Sequence, residues 1–254
     1  MYYKTIELYP KEEKIAYDEI KDLLWHFLFT LECNGQILKN YKVIEKENYL
    51  LYVTTPKQDS LDEKYDGCYV KKDKEEILKH FNLQITDCGI DLESQSYCDC
   101  KKRTAMEMQT YRFDIDSVFT CCDCGKPIAL YELPYPEDSE DYCDIQLWQD
   151  NYAAMDMLWL NCLCDRHTGN QRVKIDSALN KQGIALAEYM SKQLNHPVYY
   201  HLACDYGKSI KTEKINDKIT HICPKCEKTM KRIKFPEDYE IDICENCNLS
   251  FDAH

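Results

Sequence analysis

Cys223-Pro224-Lys225-Cys226 and Cys244-Glu245-Asn246-Cys247 frame the stretch on which the reading of this chain turns. Seventeen residues separate the two Cys-x-x-Cys turns. At that spacing one tight turn supplies two thiolates and a hairpin returns with two more, which is what tetrahedral zinc requires. Pro224 arrives with its φ already set for such a turn. Asn248, directly after the second pair, tolerates the left-handed backbone on which these turns end. Glu227 stands after Cys226 where a zinc ribbon usually places glycine. Four thiolates leave no open coordination position, so the predicted role of zinc at Cys223, Cys226, Cys244 and Cys247 is structural.

Working outward, the 254 residues include sixteen cysteines. A secreted disulfide framework would need a signal peptide, and Met1-Tyr2-Tyr3-Lys4-Thr5-Ile6-Glu7 does not begin one. The paired spacings point instead to metal binding in a reducing compartment, and the expected location is the cytoplasm. No apolar run approaches the roughly 18 residues a membrane-spanning helix needs. The net charge of −13 opposes phosphate binding by the molecule as a whole. One segment departs from this: between Lys208 and Lys234 nine cations face three carboxylates. Lys225, Lys228, Lys231, Arg232 and Lys234 are therefore the candidate nucleic-acid contacts, with Phe235 and Tyr239 as stacking surfaces for single strands. A solvated charged face is the plainer reading of the same run.

Upstream, Tyr2–Tyr9 alternates as a strand and Lys11–Cys33 has helical spacing, with Ile15, Ile20, Leu23, Leu24, Phe27, Leu28 and Leu31 on one face. Asn34-Gly35 stops that helix. Strands are expected at residues 41–45, 49–53 and 83–88, with a second helix at 71–81 turning Ile77, Leu78 and Phe81 inward. The order β-α-β-β-α-β predicts a ferredoxin-like unit over residues 1–90. A Cys-bearing α+β region is expected over 91–206, and a basic linker with the ribbon over 207–254. In the middle region Trp148, Tyr152, Met155, Trp159 and Cys162 read as one helical face, and Ser177 as the N-cap of the next helix. Gly183 in that helix allows a close approach, and Asn195-His196-Pro197 ends it.

Cys121-Cys122-Asp123-Cys124-Gly125 is half of a second zinc site. Its other half is either Cys98 and Cys100 or Cys162 and Cys164, two Cys-x-Cys pairs of identical spacing. A redox Cys-x-x-Cys would sit at a helix start, whereas residues 127–131 read as a strand. There is no Gly-rich phosphate loop, His-Glu-x-x-His or Gly-x-Ser-x-Gly, which argues against an enzyme and identifies no small-molecule substrate.

Several features in fixed order resemble a known bacterial family. They are Asn34-Gly35-Gln36-Ile37-Leu38, Cys121-x-x-Cys124-Gly125, Leu130-Tyr131-x-Leu133-Pro134, Trp148-x-x-x-Tyr152, Asp156-x-Leu158, Gly183, Pro197-Val198-Tyr199-Tyr200 and the closing Cys pairs. The chain resembles the zinc-ribbon proteins grouped as DUF2310, for which nucleic-acid binding has been suggested. The resemblance implies a zinc-containing binding protein. The family tends to carry a basic residue after the last cysteine, where this chain has Asn248. Two functions are expected from these observations: weak, non-specific nucleic-acid binding through the basic half of the ribbon, or a protein-interaction adaptor in which zinc only holds the fold.

Overall fold

Ile6 and Leu8 alternate with more exposed neighbours along the first strand, and that alternation sets the N-terminal half. In the computed structural model, residues 1–11, 16–111, 113, 116–204, 211–215, 218–235 and 240–253 are described. The chain divides into two compact units, one of residues 1–97 and 129–143, the other of residues 98–128 and 144–254.

The first unit contains β1 (Tyr2–Pro10), α1 (Tyr17–Cys33), β2 (Lys42–Glu45), β3 (Tyr49–Thr55), α2 (Cys68–His80) and β4 (Phe81–Ile90). Its sheet has the order β2-β3-β1-β4, and every neighbouring pair is antiparallel. Leu24, Phe27, Leu28 and Leu31 of α1 pack with Ile6, Leu8, Leu51 and Val53 of the sheet and Ile77 of α2. Gly35 ends α1 with φ +72°, and a Cβ there would lie 2.6 Å from Leu130 Cβ, so both backbone and space require glycine.

Three expectations are corrected here. The second helix starts at Cys68, ahead of residue 71, and Leu78 is on its exposed side while Phe81 already belongs to β4. Residues 130–132 form a 3-10 turn where a strand was expected. The first helix is seen from Tyr17; Ile15 lies outside the described residues.

The second unit adds β5 (Met106–Met108), β6 (Phe119–Cys121), α3 (Cys143–Leu160, from residue 144 on), α4 (Asp165–Val173), α5 (Ala178–Leu194), β7 (Val198–His201), β8 (Thr212–Ile215), β9 (Lys218–His221), β10 (Lys231–Lys234), β11 (Glu240–Cys244) and β12 (Leu249–Asp252). Six of these strands form one sheet in the order β10-β11-β12-β7-β5-β6. The pairing of β12 with β7 is parallel, so the ribbon strands continue the sheet of the middle region. Ser177 caps α5 by accepting from Asn180 N–H at 3.1 Å, and Asn195 closes it in the left-handed conformation. Gly183 lets α5 press onto the sheet: a Cβ would stand 2.2 Å from the Tyr200 ring and 2.8 Å from Trp148 Nε1. The buried face of α3 is Ile145, Trp148, Gln149, Tyr152 and Asp156, while Cys162, expected on the Trp148 face, is exposed beyond the helix end. No helix among the described residues is long and apolar enough to cross a membrane.

Two four-cysteine candidate metal centres

The two ends of the six-stranded sheet each carry a cysteine tetrad. Cys121 is the last residue of β6, and Cys244 is the last residue of β11. The thiols of Cys98, Cys100, Cys121 and Cys124 lie within 4.8 Å of one another, and so do those of Cys223, Cys226, Cys244 and Cys247. In a tetrahedron with Zn–S bonds of about 2.3 Å the sulfur–sulfur edge is about 3.8 Å. Cys226 Sγ and Cys244 Sγ are 3.6 Å apart, close to that edge. Both groups could hold a metal ion.

The same local structure builds a turn in each tetrad. Cys121 N–H donates to Lys126 O (2.9 Å) and Gly125 N–H to Cys121 O (2.8 Å). Cys223 N–H donates to Lys228 O (2.9 Å) and Glu227 N–H to Cys223 O (2.9 Å). The residue after the second cysteine is left-handed in both, Gly125 at φ +71° and Glu227 at φ +55°. Asn248 takes the same role in the third turn at φ +49°. For a residue with a Cβ that conformation costs roughly 1–2 kcal/mol. Glu227→Gly is therefore expected to stabilise the protein by about 1 kcal/mol, read as a higher urea midpoint with unchanged slope.

In the first tetrad the Cys-x-Cys half is Cys98 and Cys100. Cys98 N–H donates to Pro127 O at 2.8 Å, which lays the 98–100 loop on the Cys121–Cys124 turn. Cys162 and Cys164 are exposed and are not gathered into either tetrad. Thr104 donates through its N–H and its hydroxyl to Asp123, steadying the same turn from outside.

The electrostatics differ from thiol to thiol. Burial would raise Cys98, but the Arg103 guanidinium and the Cys100 N–H outweigh it and pull that thiol below its ordinary range. Burial pushes Cys121 up strongly and Cys124 to about 11. In the second tetrad the Lys228 N–H brings Cys226 down to about 7, while burial raises Cys244 to about 11 and raises Cys247 further. Each tetrad thus has one thiol disposed to ionise beside two, Cys121 and Cys124 or Cys244 and Cys247, whose burial opposes it. A divalent ion reverses that preference and releases protons as it binds.

The basic segment lies differently from its expected arrangement. Arg232 is not offered to solvent: its Nε and Nη2 reach Asp242 Oδ1 and Oδ2 at 2.9 and 3.1 Å, and Asp242 is fully buried. Lys231 pairs with Glu245 at 2.9 Å and Lys225 with Glu188 at 3.2 Å. Lys228 and Lys234 are exposed. Phe235 is buried with Tyr199, Ile241 and Ile243, so it offers no stacking face. Lys208 and Tyr239 lie outside the described residues.

Sequence reasoning missed three groupings. Asp242 also accepts from His221 N–H (3.0 Å) and pairs with His221 Nδ1 (2.8 Å), tying the strand before Cys223 to the strand of Cys244. Glu107 is buried between Ser250 Oγ (2.6 Å) and His201 Nδ1 (3.2 Å), linking β5, β7 and β12. In the first unit Cys33 and Cys143, to which the sequence reading gives no role, form a disulfide across 110 residues of sequence.

Comparison with known proteins agrees with the middle of the chain.
Residues 100–203 match DUF2310, a domain of unknown function.
Residues 1–86 match a second domain of unknown function, DUF8589. A protein of Haemophilus influenzae described as uncharacterized is 25% identical over 189 residues, covering 71% of this chain and 68% of its own. The solved structure of Rv0793 from Mycobacterium tuberculosis overlaps 36% of this chain and 97% of its own at 13% identity. Its TM-score is 0.30.

Proposed function

We propose that the chain is a zinc-stabilised protein-interaction adaptor, in which both tetrads are structural Zn(Cys)4 centres. An all-thiolate set of this geometry suits zinc and leaves no position for substrate. The first unit is read as ferredoxin-like, supported by its antiparallel β2-β3-β1-β4 order. Eight thiols kept reduced for metal agree with a cytoplasmic location.

The observation that favours an adaptor over a nucleic-acid binder is the internal pairing of the ribbon's cations. The bidentate Arg232–Asp242 pair, with Lys231–Glu245 and Lys225–Glu188 beside it, spends charge that phosphate would need. The test is an anisotropy titration of labelled single-stranded DNA and RNA at low and moderate salt, using wild type and Lys225→Glu/Lys228→Glu/Lys231→Glu. Arg232 is left unchanged because it holds Asp242. No salt-sensitive binding by wild type is expected. Binding that the triple substitution abolishes would restore the nucleic-acid reading.

A further inference from the structure

Three cysteines of the first unit come from three segments that meet. Cys33 ends α1, Cys68 begins α2, and Cys143 begins α3. Cys33 and Cys143 are disulfide-bonded, and Tyr142 N–H donates to Cys33 O at 2.8 Å. Asn34, the residue after Cys33, donates to Tyr65 O at 2.8 Å and accepts from Tyr135 Oη at 3.0 Å. Gly67, the residue before Cys68, is so close that a Cβ would lie 2.7 Å from both Asn34 Oδ1 and Tyr135 Oη. The start of α2 is thereby pinned to the end of α1 and to the segment leading into Cys143. Cys68 is exposed, and its thiol donates to Glu140 Oε2 at 2.9 Å, three residues before Cys143. A cavity of about 300 Å³ opens at this junction, lined by Cys33, Gly67 and Glu140 with Phe29 and Tyr69 on its apolar side.

A disulfide in a chain that also needs eight metal-binding thiols is unusual. In reducing compartments disulfides are mostly transient and serve catalysis or redox sensing. We propose that this junction is a thiol–disulfide exchange site, with Cys68 as the attacking thiol and a small-molecule thiol of the glutathione class as co-reactant. The exposed Cys68 thiol loses its proton to solvent and the thiolate attacks Cys143 Sγ. The Cys33–Cys143 bond breaks as Cys68–Cys143 forms. The electron pair leaves on Cys33 Sγ, which takes up a proton from solvent. This step is redox-neutral. Full reduction then consumes two small thiols, yields their disulfide and leaves Cys33, Cys68 and Cys143 all as thiols. The Glu140 hydrogen bond holds the Cys68 thiol above its ordinary range, so the resting group is protonated and exchange waits on proton transfer. The proposal rests on the zinc reading only for the reducing compartment; its cysteines lie in the first unit and the metal centres in the other.

The test equilibrates the full zinc-loaded chain in glutathione buffers of graded poise, quenches with acid, alkylates, and maps disulfides by peptide mass spectrometry. A Cys68–Cys143 bond is expected beside Cys33–Cys143. Cys68→Ser should abolish it and slow opening of Cys33–Cys143 by about tenfold or more, since an oriented internal thiol outcompetes a millimolar external one. Glu140→Gln removes the carboxylate that keeps the resting Cys68 thiol protonated, and should speed exchange. Cys33–Cys143 as the only bond at every poise, opening at the same rate in Cys68→Ser, would overturn the proposal. So would its absence under all oxidising conditions.

Discussion

Stripping the metal should unfold the second unit and spare the first. Structural zinc in small domains contributes on the order of 10–16 kcal/mol of apparent binding free energy, and that energy is folding energy. Here both tetrads belong to the second unit, and β6 and β11, which end in ligands, are strands of its six-stranded sheet. A strong chelator at neutral pH should therefore remove amide protection from β5–β7 and β10–β12 together, where a detached ribbon would lose only its own strands. The first unit has its own core and, among the described residues, no tetrad, so β1, β3 and β4 should keep their protection. Hydrogen exchange with and without chelator reads this. Loss confined to residues after 220 would show that the β12–β7 pairing carries little cooperativity. Loss across β1–β4 would show that the first unit cannot stand without the second.

Asp242→Ala should be among the most damaging single substitutions outside the ligands. Asp242 is fully buried and accepts from Arg232 twice and from His221 twice. Removing it leaves a largely buried guanidinium and a buried imidazole without their anion, which costs roughly 3–5 kcal/mol. Burial alone would raise this carboxyl, but His221 and Arg232 outweigh it and hold Asp242 at about 2. The sign follows: its contribution is complete above the ordinary carboxylate range and is lost as pH falls toward 2. Urea unfolding of the metal-loaded protein at neutral pH measures the loss. A change under about 1 kcal/mol would mean that water replaces the carboxylate, and would remove Asp242 from the account.

What the sequence disclosed divides by range. The second tetrad was legible because each half is a local turn and the halves sit on one hairpin. The first was half legible: Cys98-Asp99-Cys100 and Cys162-Leu163-Cys164 have the same spacing, and long-range contacts such as Cys98 N–H to Pro127 O separate them. The disulfide joins residues 110 apart, and no periodicity carries such a pairing. The basic segment misled for a geometric reason. Counting cations along the chain ignores the strand opposite, and in the β10–β11 register Arg232 faces Asp242 and Lys234 faces Glu240. Leu78 misled likewise: α2 begins three residues before the expected start, and its inward positions are Val70 and Ile77.

The central claim is that each tetrad holds one zinc. Native mass spectrometry of reduced, purified protein, paired with elemental analysis, tests it most directly. The predicted result is two zinc ions per chain, with Cys121→Ser and Cys223→Ser each retaining one, and the double variant none. A folded second unit with no bound metal, or two single variants that both keep two ions, would contradict it.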